Sequence, residues 1–193
     1  MRDLSGVVED VAGDVLLPEG LDRLRALEAS ALPALPADVR LGPPVGRVGK
    51  VLCIGLNYAC NARALSQPHP KEPAMAMKPP SVLVGARDGI VLPRGSSATD
   101  WEVELGVVIG RPARHVSEVD ARAHVAGYCL ANDLSERDDQ RLRGGDSSKG
   151  RGHDGFGPVG PWLLTADEVP DPQQLRLWLE IDGERVQDGR TAD

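Results

Sequence analysis

A chain of 193 residues is long enough to bury a core in one domain. Hydrophobic residues at 41% and charged residues at 26% exclude a disordered chain, and aromatics at 3% leave the core to Leu, Val, Ala and Ile. A net charge of −7 excludes a basic surface for nucleic acid or an anionic membrane, while a few local Arg or Lys side chains remain enough to hold a small anion.

Residues 1–47 form a lead-in segment and linker, and residues 48–193 form the main domain. The opening "MRDLSGVVEDVAGDVLLPEG" has no apolar core of the kind a secretory leader needs. Within it, "VVEDVAGDVLLP" predicts a short hairpin. "GLDRLRALEASAL" places Leu21, Leu24, Ala26 and Leu27 on one helical face. Four prolines break "LPALPADVRLGPPVGRV" into a connector. "KVLCIG" then predicts a buried strand, and the proline-rich half of "LNYACNARALSQPHPKEP" predicts a loop or lid.

Short strands follow at "SVLVG", "GIVLP" and "EVELGVVIG". A helix begins near Glu118 with Ser117 as N-cap, and "GYCLANDLS" returns as a strand. The glycine-rich stretch 141–157 is predicted irregular. "QLRLWLEIDGERVQDG" alternates strictly through Leu175, Leu177, Leu179 and Ile181 and turns at Asp182-Gly183, which predicts a hairpin. Strands dominate, so the fold class is mainly β with some α (α+β). Cys53, Cys60 and Cys129 show no metal-binding or disulfide spacing and are expected as free thiols in a reducing cytosol. No apolar run approaches the 18 residues of a membrane span, and a soluble, cytoplasmic protein is expected.

The chemistry concentrates in "DWEVELGVVIG". On a strand, Glu102 and Glu104 point to one face together with Gly106 and Val108, while Val103, Leu105, Val107 and Ile109 line the other. A one-sided strand with its acids in water accounts for this spacing. Gly106 and Val108 are not what a solvated face carries, however, and buried carboxylates require a compensating cation. A hard divalent ion such as Mg²⁺ takes carboxylate oxygens and keeps positions open for substrate. Asp133, at the end of an apolar strand, is the candidate third ligand.

"GLNYA", "MKPPSVLVG", "DWEVELGVVIG", "VAGYCLANDLSERDDQ" and "GPVGPWLLT" occur in this order from about residue 50 onward. Together they resemble the fumarylacetoacetate hydrolase superfamily. The resemblance implies a mixed β-roll holding Mg²⁺ or Mn²⁺, with Ca²⁺ as an alternative, on Glu102, Glu104 and Asp133. It implies a small 2-oxo or 1,3-dicarbonyl acid as substrate and a Lewis-acid metal that stabilises an enolate during C–C bond hydrolysis, decarboxylation or enol–keto isomerisation. It assigns Arg137, Lys78 and Tyr58 to substrate binding, Gln140 to an oxyanion, and a homodimeric assembly. No nucleic-acid or membrane partner is implied.

Three departures qualify the resemblance. The family's His and Glu that activate water after "GLNYA" correspond here to Asn61 and Ala64, which can neither take a proton nor orient a base. The family's lysine in the glycine-rich segment corresponds to Arg151, with Lys149 two residues earlier as a substitute and His153 as a replacement acid or base. The chain also stops at "GRTAD", where family members continue for several strands, so the roll is expected to be incomplete. Loss of the His/Glu dyad favours decarboxylation or isomerisation over hydrolysis, and leaves open a catalytically impaired relative that only binds a ligand. A nucleotide loop is excluded, since "GDSSKGRG" lacks the Lys and Ser/Thr that would follow its second glycine.

Overall fold

Two segments of alternating or continuous apolar residues pair to make the centre of the fold. In the computed structural model, which describes residues 1–193, the strands are β1 (Val51–Gly55), β2 (Ala74–Lys78), β3 (Leu83–Gly85), β4 (Thr99–Asp100), β5 (Val103–Ile109), β6 (Val125–Asn132), β7 (Ser135–Glu136), β8 (Gly157–Val159), β9 (Leu164–Thr165), β10 (Arg176–Ile181) and β11 (Glu184–Arg190). The central sheet runs β3-β8-β6-β5, with β9 also on β6. Its β3–β8 pair is parallel and the rest antiparallel, so the sheet is mixed. It is open at β3 and β5 and does not close into a barrel. Three two-stranded ribbons, β1–β2, β4–β7 and β10–β11, complete a mainly β architecture.

The helices are short: α1 (Pro18–Arg25), α2 (Ala59–Ala64), α3 (Glu118–Ala121), α4 (Arg137–Arg141) and α5 (Ser147–Arg151). Each has a local cause. Proline opens α1, where its missing N–H costs nothing. Side-chain oxygens of Ser117, Glu136 and Asp146 accept from backbone N–H groups at the starts of α3, α4 and α5.

The inward face of β5 is the glutamate face. Val108 packs against the buried cluster of Leu16, Leu21 and Ala126, whereas Val107 and Ile109 on the alternate face are exposed. Gly106 is required there, because a Cβ would stand 2.7 Å from Cys129 Sγ on the neighbouring strand. Leu16 and Leu21 come from the N-terminal segment, which thereby lies against the sheet.

Several local expectations differ from the structure. "VVEDVAGDVLLP" is no hairpin. Val7 and Val8 both donate to Leu4 O, Gly13 takes a left-handed φ of 53°, and a 3₁₀ turn over Gly13–Leu16 leads into α1, leaving no two runs of strand length. "GIVLP" joins no ladder, since Pro93 has no N–H to offer and its carbonyl instead accepts from Ser96 in a turn. The helical face beginning at Leu21 stops at Arg25, short of Leu27. Within 141–157 the segment Ser147–Arg151 is helical rather than irregular. The C-terminal hairpin forms as its alternation dictates, with Asp182 and Gly183 both at positive φ in the turn.

Two surface features matter below. On the β1–β2 ribbon, Leu52 pairs with Met77 and Ile54 with Met75, and all four side chains are exposed on the ribbon. On β11, the Gln187 amide accepts from Val103 N at 2.9 Å and donates to Val103 O at 3.1 Å, so one side chain imitates a strand neighbour at the edge of β5. Gln187→Ala therefore strips two hydrogen bonds from the residue between the two glutamates. A loss of about 1–3 kcal/mol and faster hydrogen exchange at the Val103 amide are expected. An unchanged exchange rate would show that the hairpin is not held this way.

Candidate metal and substrate site

The antiparallel register of β5 and β6 puts Val103 opposite Asn132, so Glu102 and Asp133 continue the two strands side by side. Asp133 N donates to Glu102 O at 2.9 Å, and the Asn132 side chain accepts from Glu102 N at 3.2 Å. Alternation along β5 returns Glu104 to the same face. One carboxylate oxygen from each of Glu102, Glu104 and Asp133 accordingly lies within 4.8 Å of the other two. Asp133 is 4% exposed.

Three cations surround this trio. Lys78, at the end of β2 and 3% exposed, uses Nζ on Asp133 Oδ1 at 2.5 Å, Phe156 O at 2.6 Å and Leu134 O at 3.2 Å. Arg137, opening α4, donates to Glu102 Oε1 at 2.6 Å and Asp100 Oδ2 at 2.7 Å. Arg151, closing α5, donates to Asp133 Oδ2 and reaches Glu102 Oε2 at 3.3 Å. Gly150 makes that approach possible, because a Cβ there would collide with Glu136 O and come within 2.9 Å of Gln140 Cβ. Glu104 is the member of the trio with no ion pair.

The electrostatics follow from this asymmetry. Burial, then the charges of Asp133 and Glu102, push the Glu104 carboxyl up to about 7, against the pull of Arg151 and Lys78. Burial, then Asp133, pushes the neighbouring Cys53 thiol up to about 12, so it stays neutral. Burial and Glu104 raise Tyr58 as well. At Arg137 burial opposes the charge, but Glu102 and Asp100 outweigh it.

An open trough of about 2550 Å³ borders this group. Tyr58, Lys78, Glu102, Glu104, Asp133, Arg137, Gln140 and Arg151 all line it, as do Asn61 and Ala64 of α2. Gln140 accepts from Arg137 Nη1 at 3.1 Å, which leaves its amide N–H₂ to donate. Two sequence candidates lie elsewhere. Lys149 donates to Arg143 O at 2.8 Å on the exposed side, and His153 pairs with Asp139 at 3.1 Å and meets Phe156 edge-on. Cys53, Asp100 and Gln187 were not among the sequence candidates. Asp100 had a signal, lying two residues before Glu102 and therefore on its face.

The trio fits a hard divalent ion. Such ions hold oxygens at about 2.0–2.6 Å, so ligands of one ion stand no more than about 5 Å apart. Three carboxylates supply the donor chemistry, and the raised Glu104 marks a place short of positive charge.

Residues 50–193 match the family model described as fumarylacetoacetate (FAA) hydrolase C-terminal. A Burkholderia multivorans protein named "Putative hydrolase" is 57% identical over 191 residues, 99% of this chain and 68% of that protein. A Mycobacterium marinum 2-hydroxyhepta-2,4-diene-1,7-dioate isomerase superposes with a TM-score of 0.71 at 40% identity, covering 81% of this chain and 56% of the other. A Mycobacterium smegmatis 5-carboxymethyl-2-hydroxymuconate delta-isomerase gives 0.71 at 36% identity, over 81% and 60%. The chain thus spans 68% of that curated relative and less than two thirds of these two solved structures.

With no ion added, Glu104 is protonated in the folded chain and ionised in the unfolded chain between its ordinary value, near 4.5, and about 7. Folding stability is then full below the lower value and falls as pH rises through the upper one, by at most about 3 kcal/mol. Glu104→Gln should abolish this slope in chelator-treated protein, as read by denaturant midpoints from pH 5 to 8. A slope that survives the substitution would assign it to another group.

Proposed function

This chain belongs to the fumarylacetoacetate hydrolase family, and on that premise we propose that it carries the metal-binding catalytic face of an enzyme acting on a small 2-oxo or 1,3-dicarbonyl carboxylic acid. The observation that carries the proposal is the convergence of Glu102, Glu104 and Asp133 oxygens within 4.8 Å in an open trough. These three residues would hold Mg²⁺ or Mn²⁺, with Ca²⁺ a further candidate. The chemistry such an ion supplies is Lewis-acid polarisation of carbonyl oxygens.

The remaining work falls to the chain's own side chains. Arg137, whose Nε, Nη2 and Nη1 donate to Asp100, Glu102 and Gln140, holds a fixed positive charge on the wall of the trough that attracts a substrate carboxylate. The free amide N–H₂ of Gln140 donates to an oxygen that gains charge during the reaction. Tyr58, protonated at neutral pH, offers a hydroxyl donor from the α2 side. Lys78 spends its three hydrogen bonds on Asp133 and two carbonyls and therefore positions Asp133 rather than binding substrate.

Asn61 and Ala64 bring no proton acceptor to the trough, which favours isomerisation or decarboxylation, neither of which needs an activated water. The two isomerase names among the structural relatives are consistent with that preference. The same missing acceptor favours a second reading, a relative that binds such acids without turning them over. Family membership also supports a homodimer and a division at residue 47 between lead-in and catalytic domain.

Oxaloacetate and acylpyruvates, assayed with Mg²⁺ or Mn²⁺, separate the possibilities. Turnover should vanish on chelation and fall by about a hundredfold or more in Glu104→Gln and Asp133→Asn. Ion binding without turnover selects the binding protein. Turnover indifferent to both chelation and the two substitutions would refute the metal site.

A further inference from the structure

An ion held by the whole trio needs an oxygen from each carboxylate, and the cations already hold most of them. Lys78 takes Asp133 Oδ1, Arg151 takes Asp133 Oδ2 and reaches Glu102 Oε2, and Arg137 takes Glu102 Oε1. Both oxygens of Asp133 already accept from a cation, so an ion that draws on Asp133 competes with one of the two for its lone pairs and meets its positive charge.

Lys78 is poorly placed to give way. It is 3% exposed, and two of its three bonds go to the carbonyls of Leu134 and Phe156. Arg137 does not touch Asp133 and is shared with Asp100. Arg151 differs from both. It is the last residue of a five-residue helix, its side chain is 11% exposed, and its Nε is buried with no acceptor. Its guanidinium also bridges Glu102 and Asp133, two of the carboxylates an ion would have to share.

We infer that Arg151 is a resident counter-cation that competes with the divalent ion, and so determines how tightly this chain binds metal. The inference rests on the metal reading above. A guanidinium satisfies two carboxylates through directional N–H bonds, whereas an ion needs the lone pairs of all three. Binding of the ion breaks the Arg151–Asp133 bond and turns the guanidinium toward the trough it already lines. A lysine in the same place keeps the charge but has no planar fork to span two carboxylates.

That contrast provides the test. Mn²⁺ alone is titrated calorimetrically into the chelator-treated full chain and its Arg151→Lys, Arg151→Gln and Glu104→Gln variants, with thermal melts at zero and saturating Mn²⁺. Displacement predicts that Arg151→Lys binds Mn²⁺ about tenfold more tightly than wild type, and Arg151→Gln at least as tightly as the lysine variant. The Mn²⁺-induced rise in melting temperature should be larger in both variants than in wild type. A gain in Arg151→Gln with none in Arg151→Lys would mean only a lost positive field, and would overturn the inference. So would equal or weaker binding in both. If wild type binds no Mn²⁺ but Arg151→Lys does, through Glu104, the competition is so strong that Arg151 alone closes the site. Wild-type binding indifferent to Glu104→Gln overturns the metal reading itself. Wild-type binding weakened by Glu104→Gln yet unmoved by either Arg151 variant overturns this inference alone. Should Arg151→Gln fail to fold, Arg151→Lys decides.

Discussion

Mutual repulsion among three carboxylates is the constraint around which this region is built. Strand pairing forces the crowding: alternation puts Glu102 and Glu104 on one face, and the β5–β6 register adds Asp133. The relief comes from distant elements, with Lys78 from β2, Arg137 from α4 and Arg151 from α5 each delivering a charge. Buried ion pairs of this kind add little net stability, but removing one partner strands its counterpart. The surrounding elements are thus tied to the site as firmly as the site is tied to them.

Glycines set how close those elements come. Gly106 lets β5 lie against Cys129, and Gly150 lets α5 settle on β7 and α4. Gln187 serves a similar end with a side chain, completing the edge of β5 at Val103 and joining the C-terminal hairpin to the glutamates. Sheet, hairpin and short helices therefore act on one strand from different directions.

The acids of the candidate site were legible in the sequence because they sit in, or one residue beyond, regular strands, where a period of two fixes the face. Glu102, Glu104 and Asp133 needed only alternation and a chain reversal to be grouped, whereas Arg137 and Gln140 came only from the family resemblance, and the structure sets them three residues apart on α4. The glycine-rich segment offered no periodicity, so only the family pattern put Arg151 first and Lys149 as its substitute. Helix α5 separates them, sending Arg151 inward and Lys149 to a carbonyl on the outside. Gln187 and Cys53 were illegible for another reason. Their partners, Val103 and Asp133, are 84 and 80 residues away, and nothing local in either segment announces the contact. The failed hairpin near residue 10 follows from its tight turns and the left-handed Gly13, and the failed strand at "GIVLP" from Pro93 and its turn to Ser96.

The β1–β2 ribbon leaves a chemical signature on the surface. Met75 and Met77 stand exposed beside Leu52 and Ile54, so peroxide reaches their thioethers as readily as that of Met1. Conversion to sulfoxide would make an apolar stripe polar and chiral, while the nearby Cys53, buried and un-ionised, stays out of the reaction. The extent of oxidation at Met75 and Met77, measured against Met1, therefore reports on whatever covers that stripe in solution.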